Sequence, residues 1–222
     1  MEDAAQQSIP TVTFEWARAG DAYTIHGPKV VHKGGGESPY RPVVGDLTLI
    51  PGNGKVFYEI TTNTDACKLG LCTKGAFRTV EELEVELGKK WDTSTYGEAP
   101  SCDECWMFNC QTSTVEVNGE ERKRLWRLSV PVSGGNFGFL VDTDEGRVQL
   151  FFKDVYQGVV FETSLGLRGK ALHPCVGLEG MDMNNRNIGE GNNAAFVTPL
   201  CKAPPCLTEF RNEDAAHLQR CV

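Results

Sequence analysis

The sequence predicts an all-β protein, with antiparallel strands in two sheets packed face to face and one short helix. Three observations carry this. Residues 137–142 and 147–152 are apolar, aromatic and β-branched runs flanking the polar turn Thr143-Asp144-Glu145-Gly146, which is a β-hairpin signature. Runs at 158–161 and 172–178 extend that hairpin into a meander. The 24 glycines and 11 prolines in 222 residues supply punctuation for many tight turns.

Taken in order, residues 1–10 are polar and acidic and read as a loose tail, 11–200 as one β-sandwich domain, and 201–222 as a second tail. The alternation in Thr11-Val12-Thr13-Phe14-Glu15-Trp16 predicts a first strand, with 22–25 as its partner. Residues 26–40, with Gly34-Gly35-Gly36, read as a mobile loop. Strands follow at 46–50 and 56–61, joined through Pro51-Gly52-Asn53-Gly54. Thr79 and Glu82 have the spacing of a capping box, and Val80, Leu83 and Leu87 follow at helical spacing up to Gly88. A short helix is expected there, on the edge of the sandwich, and 91–104 is expected to be loop. Residues 194–200 read as the last strand, before the break at Pro204-Pro205.

Composition narrows the function. A net charge of −8 argues against nucleic-acid or anionic-membrane binding. The one basic run, 122–127, reads as the polar face of a strand after the Val117-Asn118-Gly119 turn. No apolar run approaches the ~18 residues of a membrane span. The N-terminus carries neither a secretory nor a transit pattern, so the expected setting is cytoplasmic, with the nine cysteines reduced.

The chemistry-bearing motifs are sparse. Cys102-Asp103-Glu104-Cys105 is a CxxC without a second one, since Cys201 and Cys206 have four residues between them. A structural zinc needs four converging ligands, so no metal is expected; Cys102 and Cys105 are the ligands to test first. Asp142, Asp144 and Glu145 read as a hairpin turn rather than a calcium loop. No phosphate loop, nucleophile elbow or zincin motif occurs. The expected state is non-enzymatic and cofactor-free.

Several segments together resemble the SPRY (B30.2-like) family. In family order these are Gly54-Lys55-Val56-Phe57-Tyr58-Glu59-Ile60, Leu69-Gly70-Leu71, Cys105-Trp106-Met107-Phe108-Asn109, Val117-Asn118-Gly119, Gly135-Asn136-Phe137-Gly138, the 141–146 turn, Gly158-Val159-Val160-Phe161 and His173-Pro174-Cys175-Val176. The set covers about residues 40 to 180. The chain departs from the pattern at Asn136, where Asp is usual, at the Asp154-Val155-Tyr156-Gln157 turn, where Asn-Gly or Asp-Gly is usual, and in a long 76–104 stretch.

The resemblance implies a bent β-sandwich whose loops at one end recognise a peptide or protein. Carried over, the contact loops are 26–41, the region of Tyr96, and 179–186. The expected partner-binding residues are His32, Tyr40, Arg41, Trp91, Tyr96, Glu179, Met181 and Arg186. Some relatives have an apolar residue and Trp where this chain has Glu179-Gly180-Met181, so a different ligand sequence is expected. No RING segment is present, and 217–221 falls one residue short of a cullin-adaptor box, which favours an adaptor or complex subunit. A lectin-like glycan binder, stacking sugars on Trp91 and Tyr96, and a scaffold subunit are the alternatives.

Overall fold

The computed structural model describes residues 9–34, 40–87, 104–125, 128–180 and 193–199. The strands are β1 (Trp16–Ala19), β2 (Tyr23–His26), β3 (Lys29–His32), β4 (Val43–Gly45), β5 (Lys55–Thr62), β6 (Cys67–Thr73), β7 (Cys105–Asn109), β8 (Thr114–Val117), β9 (Glu120–Arg124), β10 (Gly135–Asp142), β11 (Arg147–Phe152), β12 (Val155–Phe161), β13 (Leu172–Leu178) and β14 (Ala194–Val197). One helical turn, α1 (Val80–Leu83), lies between β6 and β7.

The strands form two seven-stranded sheets. One has the order β1-β4-β13-β6-β7-β8-β9 and the other β12-β11-β10-β5-β14-β3-β2. The two-residue period decides which side chains meet between them. On β10, Phe137, Phe139 and Val141 join the main core, whereas Leu140 faces outward into a separate cluster with Phe57 and Phe151. On β6, Cys67, Leu69 and Leu71 face inward, and Cys72 lies on the outer face. Tyr58 stacks on Phe139 with centroids 5.3 Å apart, and Phe14 meets both Trp16 and Tyr58 edge-on. Trp106 is 2% exposed and donates Nε1–H to the Leu165 carbonyl at 2.8 Å.

Turn chemistry follows the residues. Asn118 and Gly119 both have positive φ, 50° and 78°, as a two-residue type I′ hairpin requires. In the β10–β11 turn, Asp142 Oδ1 accepts from the backbone N–H of Asp144 and Glu145, and Asp144 Oδ1 accepts from Gly52 N–H. Two of the three carboxylates there hold backbone.

Several expectations shift. Phe14 and Trp16 point inward as the alternation implied, yet the expected 11–16 strand is displaced. Thr11 makes only an isolated bridge to Phe57, and the ladder begins at Trp16. β1 pairs with β4, while β2 pairs with β3, so 22–25 is not its partner. The expected 26–40 loop contains β3. The 46–50 run gives only a bridge between Leu49 and Leu172, and the strand lies earlier, at β4. Ile9 and Pro10, grouped above with the tail, lie against β5, where Phe57 N–H donates to Pro10 O at 3.0 Å.

The capping box on Thr79 and Glu82 forms as expected, but the helix ends at Leu83. It packs on the outer face of a sheet rather than on the sandwich edge. Leu83 and Leu87 cover Val44, Cys72, Cys105, Met107 and Cys175 there.

Candidate functional site

The described stems of the expected contact loops are tied to one another. Tyr40 precedes β4, Leu87 follows α1, and Glu179 follows β13. Leu87 N–H donates to Tyr40 O at 2.7 Å, and the Tyr40 hydroxyl lies 3.3 Å from Glu179 Oε2 and 3.4 Å from Gln111 Oε1. Across the 181–192 segment, Asn193 Nδ2–H donates to the Glu179 carbonyl at 2.7 Å. Gly177 makes this approach possible, because a Cβ there would stand 2.7 Å from Leu87 Cδ1 and 3.1 Å from Tyr40 Cβ.

Lys68, at the start of β6, organises the floor. Its ammonium donates to Leu87 O at 2.8 Å and to Glu116 Oε2 at 2.7 Å, and lies 5.0 Å from the Tyr40 ring centroid. Two donors of the ammonium are thereby used, and its charge faces the Tyr40 ring. The side chains of Lys68 and Glu116 are 8% and 12% exposed. Asn109 completes the network by donating Nδ2–H to Glu116 Oε1 at 3.1 Å, while its Oδ1 accepts from Gln111 and Thr112 N–H. Burial first, then the nearby Glu179 carboxylate, holds the Tyr40 hydroxyl protonated far above its ordinary range.

Arg41 lies beside this network. Its Nη1 pairs with Glu84, its Nε is buried without a partner, and its carbonyl accepts from the Tyr23 hydroxyl at 2.8 Å. Glu84 Oε1 also accepts from Asp21 N–H at 2.7 Å. Arg41 therefore braces the loop stem as well as lying at its surface.

Of the expected partner-binding residues, Tyr40, Arg41 and Glu179 come together here. His32 does not join them as a contact. It sits on β3, is 1% exposed, packs edge-on against Tyr23 at 5.1 Å, and accepts Gly34 N–H on Nδ1. Burial, then the charge of Arg41, lowers its pKa. Trp91, Tyr96, Met181 and Arg186 lie outside the described residues. Sequence reasoning missed Lys68, Asn109, Gln111 and Glu116. A lysine within the otherwise apolar Cys67–Thr73 strand was the signal available for the first.

The CxxC does not stand out as a metal centre. Cys102 lies outside the described residues, and Cys105 is buried on β7 in one apolar cluster with Cys72 and Cys175. Among the described residues no group of three or more His, Cys, Asp or Glu is disposed to hold a metal ion.

Solved structures share this architecture. The crystal structure of the TRIM65 PSpry domain matches with a TM-score of 0.57 at 15% identity, over 86% of this chain and 94% of that one. The crystal structure of the SPRY domain of human HERC1 matches at 0.52 and 9% identity, over 81% and 94%. The stonustoxin structure matches at 0.55 and 15% identity, over 85% of this chain and 27% of that one. No protein-family model and no curated protein matches the sequence. The chain has the fold of a SPRY domain, as its ordered motifs implied.

Proposed function

We propose that this protein is a non-catalytic interaction module. It recognises a peptide or protein through the end of the sandwich where Tyr40, Leu87 and Glu179 meet, and acts as an adaptor or complex subunit. One observation carries the reading: the stems of three separate segments are hydrogen-bonded into one rigid floor, centred on Lys68 and Tyr40. A rigid scaffold presenting loops is the general arrangement for recognition. The 35–39, 88–103 and 181–192 segments spring from this floor, so Trp91, Tyr96, Met181 and Arg186 join Tyr40, Arg41 and Glu179 in the proposed contact set. The setting proposed is cytoplasmic, supported by five buried free thiols, Cys67, Cys72, Cys105, Cys110 and Cys175.

Quantitative affinity capture tests the reading, with wild type beside a Tyr40→Ala/Tyr96→Ala variant whose fold is confirmed by circular dichroism. A protein recovered by wild type and lost from the variant is the expected result. Matching recovery of every captured protein would remove this end from the binding surface.

A further inference from the structure

The charge at this end says what class of side chain it takes. Among the described residues here, Lys68 is held by Glu116, Leu87 O and the Tyr40 ring, and Arg41 pairs with Glu84. What remains toward solvent is rich in acceptors. Gln111 is exposed, and Glu179 is half-buried with its carboxylate against the Tyr40 hydroxyl. The negative charges of Glu179 and Asp65 both act on that hydroxyl, adding to the effect of burial. The sequence deepens the bias, because each of the three segments joined here, 35–39, 88–103 and 181–192, carries one more carboxylate than cation. An acidic ligand would meet the like charge of Glu179. A cationic one would meet two acceptors, the Glu179 carboxylate and the Gln111 carbonyl.

We infer that the recognition end takes a Lys or Arg side chain of a partner peptide, held by the Glu179 carboxylate and the Gln111 carbonyl beside Tyr40. The inference rests on the interaction-module reading above. A charge-assisted hydrogen bond to a half-buried carboxylate is stronger than a neutral one, and electrostatic complementarity of this kind selects partners and speeds encounter.

The test selects a phage-displayed random-peptide library on the full chain. The tightest peptide is then titrated by fluorescence polarisation against wild type, Glu179→Gln and Gln111→Lys. Gln111 is exposed, so the last change reads out charge with the fold intact. The expected result is a shared Lys or Arg in the selected peptides and about tenfold weaker binding to each variant. Replacing that cation by norleucine should abolish the difference between wild type and Glu179→Gln. Selected peptides without a cation, still weakened by Tyr40→Ala, would overturn the charge class and leave the site standing. Cationic peptides binding wild type, Glu179→Gln and Tyr40→Ala alike would overturn both the inference and the site. A library that yields no binder would overturn the cationic-peptide inference.

Discussion

Lys68 and Glu116 show how a charged pair survives inside an apolar sheet face. Each charge loses water, and the loss is offset because the ammonium makes two hydrogen bonds and faces the Tyr40 ring while both Glu116 carboxylate oxygens accept. Removing one partner strands the other, so Lys68→Met alone should destabilise by about 3–5 kcal/mol, whereas Lys68→Met/Glu116→Leu together should cost far less. Urea unfolding of both single variants and the double variant measures this; a double loss equal to the sum of the single losses would mean the pair is not coupled. The histidines make a second prediction at this scale. Burial lowers the pKa of His32 and His173 below the ordinary 6.5, with Arg41 acting on the first and Arg18 and Lys74 on the second. The unfolded chain therefore binds these protons first. The stability they contribute is present above the ordinary pKa and is lost as pH falls through it toward the depressed folded values. Unfolding free energy should drop between about pH 7.5 and about pH 5.5, and a His32→Gln/His173→Gln variant should show a flatter profile. Glu59, pushed up by burial, works in the opposite sense, gaining stability as pH falls.

At the scale of elements, the sequence was most legible where turns are explicit. The hairpin of β10 and β11, the Asn118-Gly119 turn, β13 and the Thr79 cap were all readable, because local chemistry alone decides them. The β11–β12 turn was placed one step late. Its centre is Lys153-Asp154, with φ of 49° and 63°, so Val155 never meets positive φ and instead opens β12. Asp154→Gly should stabilise the protein slightly, by under ~1 kcal/mol, since glycine escapes the left-handed penalty of about 1–2 kcal/mol but gives part of that back in chain entropy. A melting temperature that falls would contradict this turn geometry. The strands at 16–19 and 43–45 were misplaced because their ladder is with each other and with β13, pairings across long sequence separations that alternation cannot reveal. Gly70 is a further case: a Cβ there would stand 1.9 Å from the Trp106 carbonyl. Gly70→Ala should force β6 and β7 apart and destabilise by more than ~2 kcal/mol, measured by thermal unfolding.

At the scale of the whole molecule, the ordered motifs told the fold, since they lie on strands whose sequence is constrained by packing on both faces. The candidate site was legible only in part. Tyr40, Arg41 and Glu179 lie at loop stems that the fold positions. Lys68, Asn109 and Glu116 belong to strands, and their convergence under Tyr40 depends on register between β6, β7 and β8. His32 lies buried because a short strand, β3, carries it inward. The central claim is that partners bind where the three stems meet. Site-resolved photo-crosslinking tests it most directly, with a benzophenone side chain placed at Gln111, at Glu179 or, as a control, at the exposed Asp144 of the β10–β11 turn. The proposed function requires the partner to crosslink at the first two positions and not at the third. Crosslinking confined to position 144, or equal at all three, would contradict it.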